Sequence, residues 1–192
     1  MENPFQCLES IGILSDSLKA HLATVIKLKE ISKKDYLLKA GHICRNICFV
    51  EKGLLRCFYH IRDETEVSSS FMKEGDVIIS IESFFGQKKS YESIQALEDC
   101  TLHYIDYSEI QYIYRNFPEF NFIGRVLTEK YYILWAQQLH GLRMQPPAER
   151  YKWLLQNNPE LILRVTSKYL ASYLGISEVT LSREKGKKKF LI

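Results

Sequence analysis

The 192-residue sequence lacks an apolar run that approaches the roughly 18 residues of a membrane span. Its N-terminus, Met-Glu-Asn-Pro-Phe, also lacks the basic segment followed by an apolar segment that marks a secretory signal. Internal repeats and low-complexity segments are missing as well. We therefore expect a globular cytoplasmic protein with no membrane partner.

Motifs of the common enzyme classes are absent too. The sequence contains no Gly-X-Ser-X-Gly nucleophile motif, no P-loop, no His-Glu-X-X-His and no Gly-X-Gly-X-X-Gly. The 5 histidines are scattered, and none lies beside an evident serine or cysteine nucleophile. The sequence thus predicts that the protein is not an enzyme and has no catalytic residues.

The spacing of the cysteines indicates neither a disulfide framework nor a metal site. The 5 cysteines are an odd number and include no Cys-X-X-Cys pair. They are Cys7, Cys44, Cys48, Cys57 and Cys100. We expect reduced side chains, no metal and no iron–sulfur or other cofactor.

Charge, in contrast, is abundant and unevenly placed. The net charge of +3 combines +5 in residues 146–192 with −2 in the remainder. Lysines at positions 185, 187, 188 and 189 close the basic segment. A concentrated basic face is typical of proteins that bind a phosphate backbone, although a solvated tail would have the same composition.

The first half of the chain predicts many short strands. A short helix starts at Ser15-Asp16, and glycines then separate runs rich in Ile, Val, Phe, Tyr and Cys up to about Asp106. Examples are Asn46–Val50, Leu54–Ile61 and Val67–Met72, with Glu51-Lys52-Gly53 as a hairpin turn between the first two. Strands at this spacing indicate a sandwich or barrel.

Helical periodicity replaces the strand pattern after Tyr107. Ser108 is a candidate cap for a short helix, and Pro118 suits the first turn of a long helix over about 118–144. Ile123, Leu127 and Leu134 recur on one face of it as a candidate dimer seam. The same stripe could instead pack on the β-rich domain, or do both.

Pro146-Pro147 marks the expected domain boundary and divides the chain into residues 1–145 and 146–192. Beyond it we expect a helix over Ala148–Gln156 and a short extended segment over Leu161–Val165. Two short helices follow: Thr166 caps the first, Gly175 ends it, and Ser177 caps the second. This is the pattern of a helix-turn-helix, with a recognition helix over about 177–187.

This order of elements resembles the CRP/FNR family of dimeric transcription regulators. The most specific match is Lys168-Tyr-Leu-Ala-Ser-Tyr-Leu-Gly-Ile-Ser-Glu-Val-Thr-Leu-Ser-Arg183, together with Gly41, Gly53 and Gly75-Asp76. The resemblance implies an α+β fold: an N-terminal double-stranded, jelly-roll-like β-roll with a long dimerisation helix, and a mainly helical, winged helix-turn-helix domain. It further implies a homodimer on double-stranded DNA, a small-molecule effector in the β-roll and RNA polymerase as a candidate partner.

The expected effector residues depart from relatives that bind cyclic AMP. Glu82 stands where those relatives bind the ribose, and Ser83 follows it. Ser90 or Tyr91 occupies the position of the arginine that pairs with the phosphate. Without that bidentate partner a cyclic phosphate loses its main anchor. We therefore expect an effector pocket at these four residues that does not bind cyclic AMP; the effector is unknown.

The expected DNA-binding surface also departs from its relatives. It comprises Thr166, Lys168, Ser177, Glu178, Val179, Thr180, Ser182, Arg183, Lys185 and Lys187. Relatives often have glutamate at the position of Val179, whereas the arginine at Arg183 is kept. Glu184 and Gly186 are unusual for the end of a recognition helix. An alternative function is therefore a ligand-sensing module that acts through protein partners and carries a degenerate helix-turn-helix.

Overall fold

The computed structural model describes residues 4–61 and 65–187, which form eight strands and nine helices. The strands are β1 (Lys27–Ile31), β2 (Tyr36–Leu38), β3 (Asn46–Lys52), β4 (Leu55–His60), β5 (Glu66–Met72), β6 (Val77–Ile78), β7 (Glu92–Ala96) and β8 (Cys100–Asp106). The helices are α1 (Pro4–Ile11), α2 (Asp16–Val25), α3 (Ile81–Gly86), α4 (Tyr107–Asn116), α5 (Pro118–Met144), α6 (Pro147–Asn157), α7 (Leu161–Arg164), α8 (Ser167–Leu174) and α9 (Glu178–Lys187).

The strands make two four-stranded sheets that form a β-roll. One sheet has the order β1-β8-β3-β6, and the other has the order β2-β7-β4-β5. Inward-facing side chains of both sheets join residues of the flanking helices in one apolar core, as expected for packed sheets. Its fully buried members include Leu18, Leu22, Val50, Leu55, Ile78, Phe84, Leu102, Ile113 and Ile123.

The three strands expected from sequence are present, but the hairpin expected between the first two is wrong. Residues 51 and 52 continue β3, and β3 pairs with β8 and β6. The next strand, β4, lies in the other sheet and pairs with β7. The chain therefore crosses from one sheet to the other at Gly53, whose φ is 99°. A turn that changes sheets has the same local composition as a hairpin turn.

The helices α2 and α5 start where the sequence predicts, whereas α4 does not. Ser15 caps α2, since its hydroxyl oxygen accepts a hydrogen bond from the Leu18 N–H at 3.2 Å. Pro118 starts α5, as expected. The cap expected at Ser108 is wrong: α4 begins at Tyr107, with Asp106 as its N-cap. The strand β8 runs directly into this helix and leaves no loop in which Ser108 could act as a cap.

The described residues pack as two compact units. The first comprises residues 4–59 and 70–129, and the second comprises residues 60–61, 65–69 and 130–187. Helix α5 contributes its first part to one unit and its second part to the other. The domain boundary at Pro146 stays a prediction.

The second unit has a helical core of its own. Its buried residues include Tyr151, Leu154, Leu161, Val165, Leu170, Ala171, Tyr173, Leu174 and Leu181. The extended segment expected at Leu161–Val165 is wrong, because residues 161–164 form α7. No strand occurs in residues 147–187, so the described chain contains no wing in this segment.

The second unit also includes part of β5, which is hydrogen-bonded to α8. Ser172 of α8 accepts from the Ser68 N–H at 2.9 Å and donates to the Glu66 carbonyl at 3.2 Å.

The cysteines of the described residues are free thiols. Burial raises the pKa of both Cys48 and Cys57 to about 12, so these thiols stay protonated at neutral pH. Residues 4–61 and 65–187 contain no group of three or more His, Cys, Asp or Glu that could hold a metal ion. Within the same ranges, no helix has both the length and the apolarity of a membrane span.

Candidate nucleic-acid interface

The first helix of the helix-turn-helix, α8, is capped at both ends. At its start the Thr166 hydroxyl oxygen accepts a hydrogen bond from the Tyr169 N–H at 3.4 Å. At its end Gly175 has φ 62°, and its N–H donates to the carbonyls of Ala171 and Ser172. Glycine adopts this left-handed conformation without strain. The caps predicted at Thr166 and Gly175 are confirmed.

The second helix, α9, starts from the cap predicted at Ser177. The Ser177 hydroxyl oxygen accepts from the Thr180 N–H at 3.1 Å, and its carbonyl accepts from the Leu181 N–H at 2.9 Å. Leu181 is fully buried and anchors α9 in the helical core. One face of α9 therefore points inward, and the opposite face is free for a partner.

Most of the side chains expected to contact DNA lie on this outward face. Val179 is 71% exposed, and Glu178, Ser182 and Arg183 are also exposed. With Ser167 of α8, these four residues border a shallow concavity. Arg183 can present two parallel N–H donors to guanine, whereas Val179 can offer only a methyl contact, as to thymine. The face therefore has the chemistry to contact base edges.

The remaining residues expected to contact DNA differ in how far they are exposed. Thr166, Lys168 and Ser177 are exposed. Thr180 is half-buried, and its hydroxyl lies 2.8 Å from the Ser177 hydroxyl. The Thr180 hydroxyl is thus part of the local cap, which limits its reach toward a partner.

The lysines at the end of α9 are engaged within the unit. Lys185 is half-buried, and its Nζ donates to Ser167 Oγ at 3.2 Å. The Nζ of Lys187 lies 2.6 Å from Glu184 Oε1. The Glu184 side chain is only 11% exposed, so it packs inward where an apolar residue was expected. The basic residues at 188 and 189 lie outside the described part of the chain.

Two of the expected effector residues, Ser83 and Ser90, are buried in the first unit and bonded to its backbone. The Ser83 hydroxyl accepts from the Cys44 N–H at 2.9 Å and donates to the Lys88 carbonyl at 2.5 Å. The Ser90 hydroxyl donates to the Glu92 carbonyl at 2.8 Å and accepts from the Glu92 N–H at 3.1 Å. Both hydroxyls brace the loop and are not presented to a ligand.

The other two expected effector residues, Glu82 and Tyr91, are hydrogen-bonded to each other, and Glu82 also pairs with Lys88. Lys88 forms an ion pair with Glu82, and the Tyr91 hydroxyl donates to the same carboxylate. The hydrogen bonds from Lys88 and then Tyr91 hold the pKa of Glu82 below its usual value. The bond to Glu82 is also the main cause of a raised pKa at Tyr91. Lys88 thus neutralises Glu82 from within the loop.

The comparisons with known proteins identify the fold. Residues 28–117 match the cyclic nucleotide-binding domain family. A solved structure from Eubacterium rectale, described as a regulator of the crp/fnr family, has a TM-score of 0.69 at 16% identity, over 89% of this chain and 82% of that one. The chain has the CRP/FNR fold. No relative is found among the curated proteins.

Two further solved structures share the CRP/FNR fold. FixK2 from Bradyrhizobium japonicum has a TM-score of 0.75 at 16% identity, over 87% of this chain and 86% of that one. A CooA mutant from Carboxydothermus hydrogenoformans has a TM-score of 0.72 at 21% identity, over 92% of this chain and 82% of that one. The resemblance to this fold, inferred from the sequence, is therefore confirmed.

The long helix of the CRP/FNR fold, α5, carries the stripe expected to form a dimer seam. Ile123 is fully buried in the core of the first unit, and Leu127 packs against the same core. Ile123 therefore has no accessible surface in this structure, as the alternative of packing on the β-rich domain predicts, and the dimer seam itself stays a prediction. Leu134, in contrast, is 42% exposed, and its neighbours Tyr132, Ile133 and Trp135 are also exposed. The second part of α5 thus exposes several neighbouring apolar side chains, whereas the first part buries Ile123.

Sequence reasoning missed two residues that shape this interface within the CRP/FNR fold. Ser167 borders the concavity beside α9 and accepts from Lys185. Arg150 of α6 donates from Nη1 to the Gly175 carbonyl at 3.4 Å, and a Cβ at Gly175 would lie 2.9 Å from that nitrogen. Glycine is thus favoured here by its left-handed φ, and the end of the Arg150 side chain would have to shift to make room for a Cβ. The position of Ser167 after a cap could have indicated its exposure, but the role of Arg150 is purely tertiary.

Proposed function

We propose that the protein is a dimeric transcription regulator that binds double-stranded DNA, with α9 in the major groove. The observation that carries this proposal is the exposed face of α9, where an outward valine and arginine stand on a helix anchored by buried Leu181. Nothing in the described unit covers that face, and its side chains suit base contacts. The protein acts in the cytoplasm, and RNA polymerase is a candidate partner.

The test is selection of random DNA duplexes by the purified protein at near-physiological salt. Phosphate contacts alone carry no sequence information and would enrich nothing. We expect an enriched palindrome whose half-sites lie about one helical turn, or ~10 base pairs, apart. Failure to enrich any sequence, with or without a small-molecule extract of the host, would contradict the proposal.

Arg183 is expected to give the main base contact. Arg183→Ala should weaken binding to the selected site by about 1–3 kcal/mol and relax the preference at one base pair. Lys168→Ala is the contrast, because loss of a phosphate contact should weaken all duplexes about equally and lower the salt dependence. Fluorescence anisotropy with the selected duplex and single-base variants measures both effects. Unchanged affinity and preference in Arg183→Ala would show that α9 docks differently.

The β-roll is proposed to hold an effector other than cyclic AMP. Support comes from Ser83 and Ser90, whose hydroxyls are bonded to the backbone, and from Lys88, which is paired with Glu82. A cyclic phosphate would have to break that ion pair without gaining the planar fork of an arginine.

Titration of the protein with cyclic AMP in a calorimeter is therefore expected to show no binding at micromolar Kd. The injection of cyclic AMP into buffer gives the background heat, and circular dichroism confirms that the sample is folded. A saturable heat with micromolar Kd would contradict this part of the proposal.

A sensor that acts through protein partners is the second candidate function. It is favoured by Glu184, which packs inward and holds Lys187, and by Lys185, which is bonded to Ser167. These contacts draw two lysines toward their own unit instead of a phosphate backbone. The duplex selection distinguishes the two candidates, since a degenerate helix-turn-helix would enrich no sequence. Neither candidate includes catalysis.

A further inference from the structure

A cavity of about 550 Å³ lies within the second unit, between the second part of α5 and helices α6 and α8. Small-molecule sites in proteins typically measure roughly 300–1,000 Å³. Three aromatic side chains, Tyr132, Trp153 and Tyr173, contribute to its wall, and Ile133 and Leu174 add aliphatic surface. The cavity is thus large enough, and apolar enough, for a molecule with one or two aromatic rings.

The polar side chains that line the cavity include a cation and no carboxylate. Arg150 and His140 line it together with three glutamines, and no aspartate or glutamate is among the lining residues. An apolar site with a guanidinium and no carboxylate favours an anion over a cation, because a cation would lose its hydration and meet Arg150. The glutamine amides can donate to the same anion.

Arg150 is also short of hydrogen bonds. Its Nη1 makes the long bond to the Gly175 carbonyl, while its Nε is buried and has no hydrogen-bond partner among the described residues. Buried N–H groups normally have a partner, and an oxyanion across the Nε–Nη2 edge would supply one. Binding requires the Arg150 side chain to turn toward the cavity, because no solvent reaches Nε in this structure.

Gly141 keeps this space open. It is buried in the interior of α5, where glycine is a poor helix former. A Cβ at this position would lie 3.3 Å from Gln145 Oε1 and 4.0 Å from Cγ of Arg150. A larger side chain at Gly141 would therefore fill the wall from which Gln145 and Arg150 face the cavity.

We propose that this cavity binds a small aromatic anion, such as an aromatic carboxylate or sulfonate, with Arg150 as the anion partner. Since Arg150 also holds the Gly175 carbonyl at the turn before α9, the bound anion would adjust how the recognition helix is presented. That consequence rests on the proposed DNA-binding function. The site itself can be tested without DNA, so that failure of one proposal leaves the other standing.

The test uses two fluorescent probes with the same ring system on the full chain. The anionic probe is 1-anilinonaphthalene-8-sulfonate, and the neutral probe is N-phenyl-1-naphthylamine. We expect saturable binding of the anionic probe and at least about tenfold weaker binding of the neutral one, because only the sulfonate pairs with Arg150. Arg150→Gln should bring the two affinities together. Arg143→Gln, at an exposed residue of α5 that does not line the cavity, should leave both unchanged.

Two variants that fill the cavity keep the test independent of folding defects. Gly141→Leu fills it from the buried wall, and Ala136→Trp fills it from an exposed position of α5. Each variant with wild-type circular dichroism should lose most of the binding of both probes. Equal affinity of the wild type for the two probes, or full binding by both filled variants, would overturn the proposal. Probe binding that appears only when Leu134→Glu makes the protein monomeric would also overturn the proposal and assign the cavity to a second copy of the chain.

Discussion

Replacing Leu134 by glutamate is expected to convert the protein to a monomer and to weaken its binding to a palindromic duplex at least about 100-fold. Leu134 is 42% exposed, and Ile133 and Trp135 beside it expose more than half of their surfaces. An apolar face of this kind on a long helix is typical of an interface with a second copy. Glutamate would place a charge without a partner in that interface, and two half-sites could no longer be bound together.

Analytical ultracentrifugation measures the mass, and fluorescence anisotropy measures the affinity for the duplex. Arg143→Gln is the matched control, because it makes the same change of one charge unit nine residues further along α5. At about 100° per residue, Arg143 lies on the opposite side of the helix from Leu134. The control should remain a dimer with normal affinity. A Leu134→Glu variant that is still dimeric would exclude this face of α5 as the seam.

Gly53→Ala is expected to lower the free energy of unfolding of the β-roll by about 3–5 kcal/mol. Gly53 has φ 99°, which an L-residue adopts only with strain. A Cβ there would also lie 2.7 Å from the Asp99 carbonyl oxygen and 2.9 Å from the Cα of Cys100. Those atoms belong to the backbone at the start of β8, so they cannot move aside without disturbing the sheet.

Gly41→Ala separates the two contributions to this loss. Gly41 has a similar φ of 86°, but nothing lies within 4 Å of the position of its Cβ. This control should lose only the conformational part, about 1–2 kcal/mol. Urea unfolding followed by circular dichroism measures both values. Equal losses in the two variants would mean that the close approach of residues 99 and 100 is unimportant for stability.

The sequence predicted the features that depend on neighbouring residues better than the features that depend on contacts between distant residues. The caps Ser15, Thr166 and Ser177 and the helix end at Gly175 all act over three or four residues, and each has a side chain or conformation suited to that role. The sheet change at Gly53 could not be read from the sequence, because pairing partners are decided by residues far along the chain. For the same reason the stripe on α5 looked uniform, although Ile123 is buried and Leu134 is exposed.

In the candidate sites, too, local features could be predicted from the sequence and long-range contacts could not. The outward face of α9 followed from its periodicity, since buried Leu181 fixes which side is exposed. The burial of Ser83 and Ser90 could not be predicted in this way, because serine occurs both on surfaces and in buried, hydrogen-bonded loops. Arg150 gave no signal at all: its role depends on α6 lying beside the Gly175 turn, a contact between residues 25 positions apart.

Helix α5 has a thermodynamic consequence for the chain as a whole. Its first part supplies Ile123 to the core of one unit, and its second part belongs to the other unit. Since helix formation is cooperative along a continuous segment, loss of packing in one unit removes support from the helix on which the other depends. The two units should therefore unfold in a single cooperative transition, and a destabilising substitution in either unit should lower the stability of both.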